Sequence, residues 1–324
     1  MADAYALAPA ETTRLTRRVT GLSLGLAAAL AVLKALVWIE SGSVSVLASL
    51  ADSGLDVLAA LGTFIAVRYA ATPPDAEHRF GHGKAEAFAS LLQAGLVFAS
   101  AALIAQDAVL HLIHPRPLRQ GSWAIGVMAL STALTGGLVF AQTRVLKRTH
   151  SVAVTGDRAH YAADLVSNLA ALAAIAAAAL FGVLWFDAVG GIAVAGVLLW
   201  GAVNVFRAAS SELLDRELPD EARARIAALM TADPRLTGVH QLRTRASGPI
   251  VHIQMHADLD PELSLETAHK VVVAAEKRVL EAFPSADIII HADPRGRAEP
   301  HGGAFPEAPA PEPPATGRPE VRVK

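Results

Sequence analysis

A long apolar segment with two acidic residues near its middle constrains the fold of this chain more than any other feature. Residues 43–69, SVSVLASLADSGLDVLAALGTFIAVRY, are long enough to cross a bilayer as a helix, which rises about 1.5 Å per residue. Asp52 and Asp56 are four residues apart, so both carboxylates project from one helical face. Each charged residue at a bilayer centre costs roughly 2.5–3.5 kcal/mol, and a cation must therefore offset the pair.

A second pair with the same spacing lies near the start of a later apolar segment. His160 and Asp164 also stand one helical turn apart. On two facing helices, three carboxylates and one imidazole can supply four ligands to a divalent transition metal. The alternative is that the acids pair with basic residues, or line a water-filled cleft without a metal.

The composition agrees with a membrane protein whose metal sites contain no sulfur. Of its 324 residues, 53% are hydrophobic, which is a high fraction for a soluble protein of this length. The chain contains no cysteine, so disulfides and thiolate metal sites are excluded. Histidine and carboxylate ligands suit Zn, Fe(II), Mn and Co better than Cu(I). The formal net charge of −2 gives no indication of a nucleic-acid partner.

Six apolar segments predict an α-helical membrane domain. They cover residues 19–39, 44–68, 86–112, 122–145, 153–184 and 188–208. Lysine and arginine are concentrated before the first segment and in the connectors after the second, fourth and sixth. By the positive-inside rule both termini then lie in the cytoplasm, which is consistent with six spans.

The remainder of the chain reads as a small soluble domain followed by a tail. Helices are predicted over 219–233 and 263–283, and strands over 239–246, 250–258 and 287–292, in the order α-β-β-α-β of an α+β domain. The last residues are rich in proline and predict disorder. The predicted divisions are an N-terminal cytoplasmic tail, a six-helix transmembrane domain, a cytoplasmic metal-binding domain and a disordered tail, at residues 1–13, 14–210, 211–294 and 295–324.

Two further groups could bind metal outside the membrane. Asp75, His78 and His82 lie in the connector after the second segment, beside glycines that permit tight turns. A solvated polar loop would look much the same. In the soluble domain the candidate ligands come from three predicted strands and a helix: His240, His256, His269, His291 and Asp293. Period-two alternation places His291 and Asp293 on one face of their strand. The alternative for this second group is a scatter of surface histidines.

Several stretches together resemble one transporter family. They are SVSVLASLADSGLD, FGHGKAE, DRAHYAAD, HQLRTRASGP and IIIHADP. The sequence resembles the cation diffusion facilitator family, and within it the bacterial zinc and ferrous-iron efflux pumps. The resemblance covers roughly residues 15–294. It implies six transmembrane helices, a metallochaperone-like cytoplasmic domain, a homodimer in the bacterial inner membrane, and exchange of metal for protons.

The resemblance also implies roles for the candidate ligands. Asp52, Asp56, His160 and Asp164 match the transport site, and Asp75, His78 and His82 match a loop site. A two-metal cytoplasmic site with Asp293 as the bridge is matched by His240, His256, His269, His291 and Asp293. Ala292 departs from the pattern, because relatives carry glutamine there. Relatives restricted to zinc tend to have two histidines in the transport site and manganese transporters none, so one histidine suggests Zn and Cd, with Fe(II) as a further substrate.

We therefore expect a proton-coupled exporter of divalent metals, with Zn²⁺ as transported and regulatory ion and no organic cofactor. Two alternatives belong to other functional classes. A membrane-embedded metalloenzyme would need an open metal position and a general base, as in H-E-x-x-H, and the sequence contains no such motif. A metal sensor or scaffold would bind the ion without transporting it.

Overall fold

The computed structural model describes residues 5–41, 44–113, 122–181 and 185–297. The chain divides into two compact units. The helical unit is Ala10–Leu214, and the α+β unit runs from Asp215 onward and includes the N-terminal residues up to Pro9. Most of the predicted disordered tail, from residue 298 on, lies outside the described residues.

Within its described residues the helical unit contains six long helices. They are α1 (Pro9–Ser41), α2 (Val44–Ala70), α3 (Ala85–Ile113), α4 (Ser122–Leu146), α5 (Val152–Phe181) and α6 (Trp185–Leu213). Four stretches of these helices are long and apolar enough to cross a membrane, by length and composition: Pro9–Glu40, Leu50–Ala70, Ala85–Ile113 and Val189–Leu213. A membrane-spanning helical domain is thus supported, and the count of six spans stays a prediction for α4 and α5.

The α+β unit has the predicted element order. Its elements are α7 (Asp220–Met230), β1 (Leu236–Ser247), β2 (Ile250–Leu259), α8 (Leu265–Ala282) and β3 (Ala286–Pro294). Strands β1 and β2 form an antiparallel hairpin, whose turn contains Gly248 at φ +56°. Strands β2 and β3 are parallel, because α8 provides the crossover between them. Core side chains come from the helices and from one face of the sheet, among them Ile226, Met230, Ile253, Val271, Val279 and Phe283.

The described part of the helical unit exposes large apolar side chains, unlike a soluble domain, and buries polar side chains beside apolar ones. The exposed apolar side chains include Leu22, Leu36, Ile39, Leu58, Phe140 and Trp200. Hydroxyl and amide side chains are buried, among them Thr16, Thr20, Ser23, Thr63, Gln93 and Gln142. This distribution is expected where lipid surrounds a bundle whose helices are joined by hydrogen bonds.

One buried acid joins four of these helices. Asp157, on α5, accepts hydrogen bonds from Ser23 Oγ on α1 at 2.6 Å and from Gln142 Nε2 on α4 at 2.9 Å. Gln93 on α3 donates to its other carboxylate oxygen at 3.4 Å and to Thr63 on α2 at 2.9 Å. Because every partner is itself buried, this network fixes the position of α5 against its neighbours.

Gly156 allows α5 to approach α3 closely beside this network. A Cβ atom at Gly156 would lie 2.9 Å from Ser90 Oγ and 3.0 Å from Ser90 Cα. The second contact is with backbone, which cannot move aside without shifting a helix. At Gly25 on α1, by contrast, an added Cβ would meet nothing within 4 Å.

We expect Gly156→Ala to destabilise the helical unit and Gly25→Ala to leave it unchanged or slightly more stable. Overpacking typically costs about 1–3 kcal/mol, which exceeds the gain of about 1 kcal/mol from replacing a helical glycine with alanine. Thermal unfolding in detergent should show Gly156→Ala melting roughly 2–8 °C below the parent protein. Equal melting temperatures for the two variants would contradict the close approach of α3 and α5.

Candidate metal centres

Among the described side chains, three groups bring histidine and carboxylate atoms within 4.8 Å of one another. One lies between α2 and α5 and consists of Asp56, His160 and Asp164. A second lies in the connector after α2, and a third lies on the sheet of the α+β unit. The connector group consists of the three residues selected from the sequence, and each of the other two groups lacks at least one selected residue.

The group between α2 and α5 is centred on one imidazole nitrogen. His160 Nε2 is 3.1 Å from Asp56 Oδ1 and 3.8 Å from Asp164 Oδ2. Two ligand atoms bound to one tetrahedral zinc ion are about 3.4 Å apart, given metal–ligand distances near 2.1 Å. The three atoms therefore need only small movements to share an ion.

A cavity of about 320 Å³ gives access to this group from within the helical unit. Both Asp56 and Asp164 line it, as does Asp52 one turn before Asp56 on α2. Other polar residues along its wall are Lys34, Ser53, Ser100, Ser131, Thr135, Ser167 and Asn168. Such a polar cavity within an otherwise apolar unit is the surrounding that an ion needs inside a membrane.

Asp52 is the member of the predicted set that stands apart. It is exposed to the cavity, and its carboxylate is not among the atoms that lie within 4.8 Å of one another. The i, i+4 spacing placed it on the correct face of α2. Its distance from His160 depends on how α2 packs against α5, which the spacing does not determine.

The connector group is organised around the Asp75 carboxylate. One oxygen accepts the backbone N–H groups of Glu77 at 2.9 Å and His78 at 2.6 Å, and the other lies 3.2 Å from His82 Nε2. These backbone hydrogen bonds, that of His78 foremost, lower the pKa of Asp75 below its ordinary value. The carboxyl is therefore ionised at neutral pH and available to a cation.

His82 is buried and its ring is held by a residue that the sequence analysis did not select. Thr72 Oγ1 lies 2.9 Å from His82 Nδ1, which directs Nε2 toward Asp75. Metal-binding histidines commonly have such a partner on the second ring nitrogen. Gly81, at φ +81°, provides the turn between His78 and His82.

On the sheet, three histidines form a row across the strands. His240 on β1 pairs with His256 on β2, which in turn pairs with His291 on β3. Their rings are in contact, with centroids 5.1 Å apart for the first pair and 4.8 Å for the second. Asp293 follows on the same face of β3, so the row and this acid form one cluster.

The β-bulge at Gln241 places His240 in that row. In a regular strand His240 would share the face of Leu242 and Thr244, which are buried against the core. The register shifts between Leu236 and Gly238 and again between His240 and Arg243, where Gln241 adopts φ +47°. The extra residue at the second shift reverses the side-chain alternation between His240 and Thr244, so His240 points to the opposite face.

Asp293 divides its two carboxylate oxygens among the three rings. Oδ2 is 2.8 Å from His256 Nδ1 and 3.2 Å from His240 Nε2, and Oδ1 is 3.3 Å from His291 Nε2. Burial acts to raise the pKa of Asp293, but the hydrogen bond with His256 and the three imidazoles outweigh it and hold the pKa below its ordinary value.

The sheet cluster also contains an acid that the sequence analysis missed. Asp258 lies two residues after His256 on the same face of β2, and its Oδ1 is 3.6 Å from His240 Nε2. Gly238 leaves room for it, since a Cβ there would lie 2.6 Å from Asp258 Oδ2. The same period-two alternation that selected His256 would have found Asp258.

His269 is the predicted ligand that the chain does not bring to the cluster. It is exposed on α8, and it is absent from the described groups of mutually close ligand atoms. His291 also falls outside the close set of His240, His256 and Asp293, although its ring contacts both His256 and Asp293.

Comparison with known proteins identifies the family. A model of the cation efflux transmembrane domain matches residues 21–214, and a model of the cytoplasmic domain of cation efflux proteins matches residues 218–295. The chain belongs to the cation efflux family. The two matched regions together cover most of its length, and they correspond to the two halves seen in the fold.

Curated relatives from this family match over almost the whole chain. The cation-efflux pump FieF of Klebsiella pneumoniae is 38% identical over 286 residues, which cover 87% of this chain and 93% of the pump. The pump of the same name from Shewanella oneidensis is 40% identical over 272 residues, covering 84% of this chain and 92% of the pump. These relatives are named as pumps, so this member of the cation efflux family belongs with transporters and not with enzymes.

We expect the sheet cluster to bind zinc in the absence of the helical unit. A fragment of residues 212–297 should bind Zn²⁺ in calorimetry, and His256→Ala should weaken binding more than about tenfold, because it removes a ligand from the closest set. Glu266→Ala, at an exposed carboxylate of the same fragment, serves as the matched comparison and should leave binding within about twofold. An equal loss for Glu266→Ala would contradict the ligand set given by the geometry.

Proposed function

We propose that this cation efflux protein exports divalent transition-metal ions, Zn²⁺ together with Cd²⁺ and Fe²⁺, from the cytoplasm in exchange for protons. One observation carries the proposal: a histidine and two carboxylates converge beside a polar cavity in the membrane-spanning unit. Each of these groups is costly in a bilayer, and a cation to be transported is the partner that offsets the cost. Three carboxylates along one cavity also match a doubly charged ion better than a neutral substrate.

The proposed transport ligands are Asp52, Asp56, His160 and Asp164. Asp56, His160 and Asp164 are already close, and Asp52 lines the same cavity from the preceding turn of α2. Binding of the ion would draw the Asp52 carboxylate toward the other three. Borderline nitrogen and hard oxygen donors without sulfur suit Zn²⁺ and Fe²⁺ better than Cu⁺.

The other two groups are proposed as binding sites at the cytoplasmic side. Asp75, His78 and His82 would hold an ion at the connector, and the sheet cluster would bind regulatory zinc. For the sheet cluster the proposed ligands are His240, His256, His269, His291 and Asp293. The two oxygens of Asp293 face different imidazoles, which supports a role as bridge between two ions. His269 would have to approach by movement of α8 or from a second copy of the chain.

The proposed assembly is a homodimer in the bacterial inner membrane with six spans per chain and both termini in the cytoplasm. Residues 14–210 would form the transmembrane domain and residues 211–294 the metal-binding domain. The family match supports this division, because one matched region is a transmembrane domain and the other a cytoplasmic domain.

Coupling to protons follows from competition for the same atoms. A metal ion needs neutral imidazole and ionised carboxylates, so bound metal and bound protons exclude one another. Histidine has an ordinary pKa of about 6.5, the nearest to neutral among these ligands. His160 is therefore the proposed proton carrier, loaded on the side where the metal leaves.

Flux through proteoliposomes tests the function directly. We expect Zn²⁺ uptake to increase when the inside of the vesicles is more acidic than the outside. Asp56→Ala should reduce uptake more than about tenfold, because even residues that only hydrogen-bond to metal ligands have effects of that size. Asp107→Ala is the matched control, because Asp107 also lies on a membrane helix one turn from a histidine, His111, but lines a different cavity. It should keep flux within about twofold.

The alternatives predict different results in the same experiment. A sensor or scaffold would bind zinc without any flux, and a membrane-embedded metalloenzyme would show no dependence of metal movement on the pH gradient. Normal flux in a well-folded Asp56→Ala protein would refute the transport site.

We expect His160→Asp to change the metal preference and the pH profile together. The variant keeps an oxygen ligand but loses the nitrogen donor, which should weaken Zn²⁺ several-fold relative to Mn²⁺. Transport rates measured for both metals between pH 5.5 and pH 8 give the comparison, on a range chosen around the ordinary pKa of histidine of about 6.5. A wild-type zinc preference with an unchanged pH profile would contradict both roles of His160.

A further inference from the structure

A lysine shares the cavity with the three proposed carboxylate ligands. Lys34, on α1, lines the cavity together with Asp52, Asp56 and Asp164. Its ammonium donates a hydrogen bond to the buried Ser53 hydroxyl on α2 at 2.5 Å. It also acts electrostatically on the carboxylates of both Asp52 and Asp164.

The Lys34 side chain points into the cavity and not toward the membrane surface. Lys34 lies about two turns from the end of α1 at Ser41, a distance from which a long lysine side chain could extend to the membrane surface. It is half-buried and its ammonium contacts Ser53, adjacent to Asp52. An ammonium that is not solvated at the membrane surface needs nearby negative charge, and the acids of the cavity provide that charge.

The charges along the wall are complementary to one divalent ion. Among the described residues that line the cavity, three are carboxylates and one is an ammonium, which gives a net charge of −2 when all are ionised. Binding of one doubly charged ion neutralises that charge. Without the lysine the same cavity would carry −3, and a triply charged ion would be the one that neutralises it.

We propose that Lys34 is a specificity-determining residue that adjusts the cavity to doubly charged ions and limits how tightly they bind. This inference rests on the proposed transport site. The ammonium repels the metal ion, so it lowers the affinity of the cavity for that ion and favours release of the ion. Removing it should make binding tighter and turnover slower, which separates this role from that of a metal ligand.

Electrostatics gives a signature that loss of packing would not produce. The repulsion between the ammonium and a bound ion is proportional to the charge of that ion. If removing the ammonium raises the affinity for a divalent ion about tenfold, then the affinity for a monovalent ion should rise about threefold and that for a trivalent ion about thirtyfold. A general distortion of the site would change the three affinities without this order.

The experiment measures equilibrium binding of Tl⁺, Cd²⁺ and Tb³⁺ to the full-length protein in lipid nanodiscs. Binding to the membrane site is measured as the binding that is lost in Asp56→Ala. Ions bound at the connector and at the sheet are bound in both proteins and cancel in this difference. In Lys34→Gln we expect affinities to rise by about three-, ten- and thirtyfold in that order. Lys34→Arg keeps the charge and should stay within about twofold for all three ions.

A second neutral variant keeps the test decisive if Lys34→Gln folds poorly. Lys34→Met removes the same charge with an unbranched side chain of similar length that needs no hydrogen-bond partner, and it should show the same order of gains for the three ions.

Two outcomes would overturn the inference, and they are distinguishable. Equal changes for the three ions, or no gain in affinity, would remove the role of Lys34 and leave the transport site intact. If Asp56→Ala abolishes no binding in the parent protein, the transport site itself is wrong, and the inference falls with it.

Discussion

The requirement that buried charge be compensated organises the helical unit. A carboxylate among apolar helices is stable only when hydrogen-bond donors or cations surround it. Asp157 meets this requirement with three side chains from three other helices. Asp56 and Asp164 instead face a histidine and a cavity, and we propose that a metal ion completes their compensation.

The hydrogen bonds of Asp157 also fix the part of α5 that carries His160. Asp157 and His160 are three residues apart on α5, so fixing Asp157 also fixes the direction of the imidazole. Tyr161, next to His160, donates a hydrogen bond to the Ser23 carbonyl at 3.1 Å and so ties the same turn to α1. Close contact at Gly156 completes the restraint, because a larger residue would push α5 away from α3. The geometry of the cavity thus depends on a network that lies outside it.

The sequence predicted those features that depend on spacing within one helix or strand. The i, i+4 pairs selected Asp56, His160 and Asp164, and period-two alternation selected His256. The α-β-β-α-β order also agreed with the structure, because turn and strand signals are local. The distances between side chains on different helices or strands could not be predicted from these spacings. Asp52 satisfies the i, i+4 pattern, and His269 was selected as a further histidine of the soluble domain. The packing of α2 and the placement of α8 leave both outside the close sets.

The proposed transport site and the proposed sheet site differ in what holds their ligands in register. On the sheet, backbone pairing aligns His240, His256 and His291, and the bulge at Gln241 turns the first of them to the shared face. Between α2 and α5 no backbone hydrogen bond links the ligands, and side-chain packing alone sets their separation. Small rotations of a helix therefore change the membrane group while they leave the sheet cluster intact. The proposed transport site must bind and release an ion on opposite sides of a membrane and requires that freedom, whereas the proposed regulatory site does not.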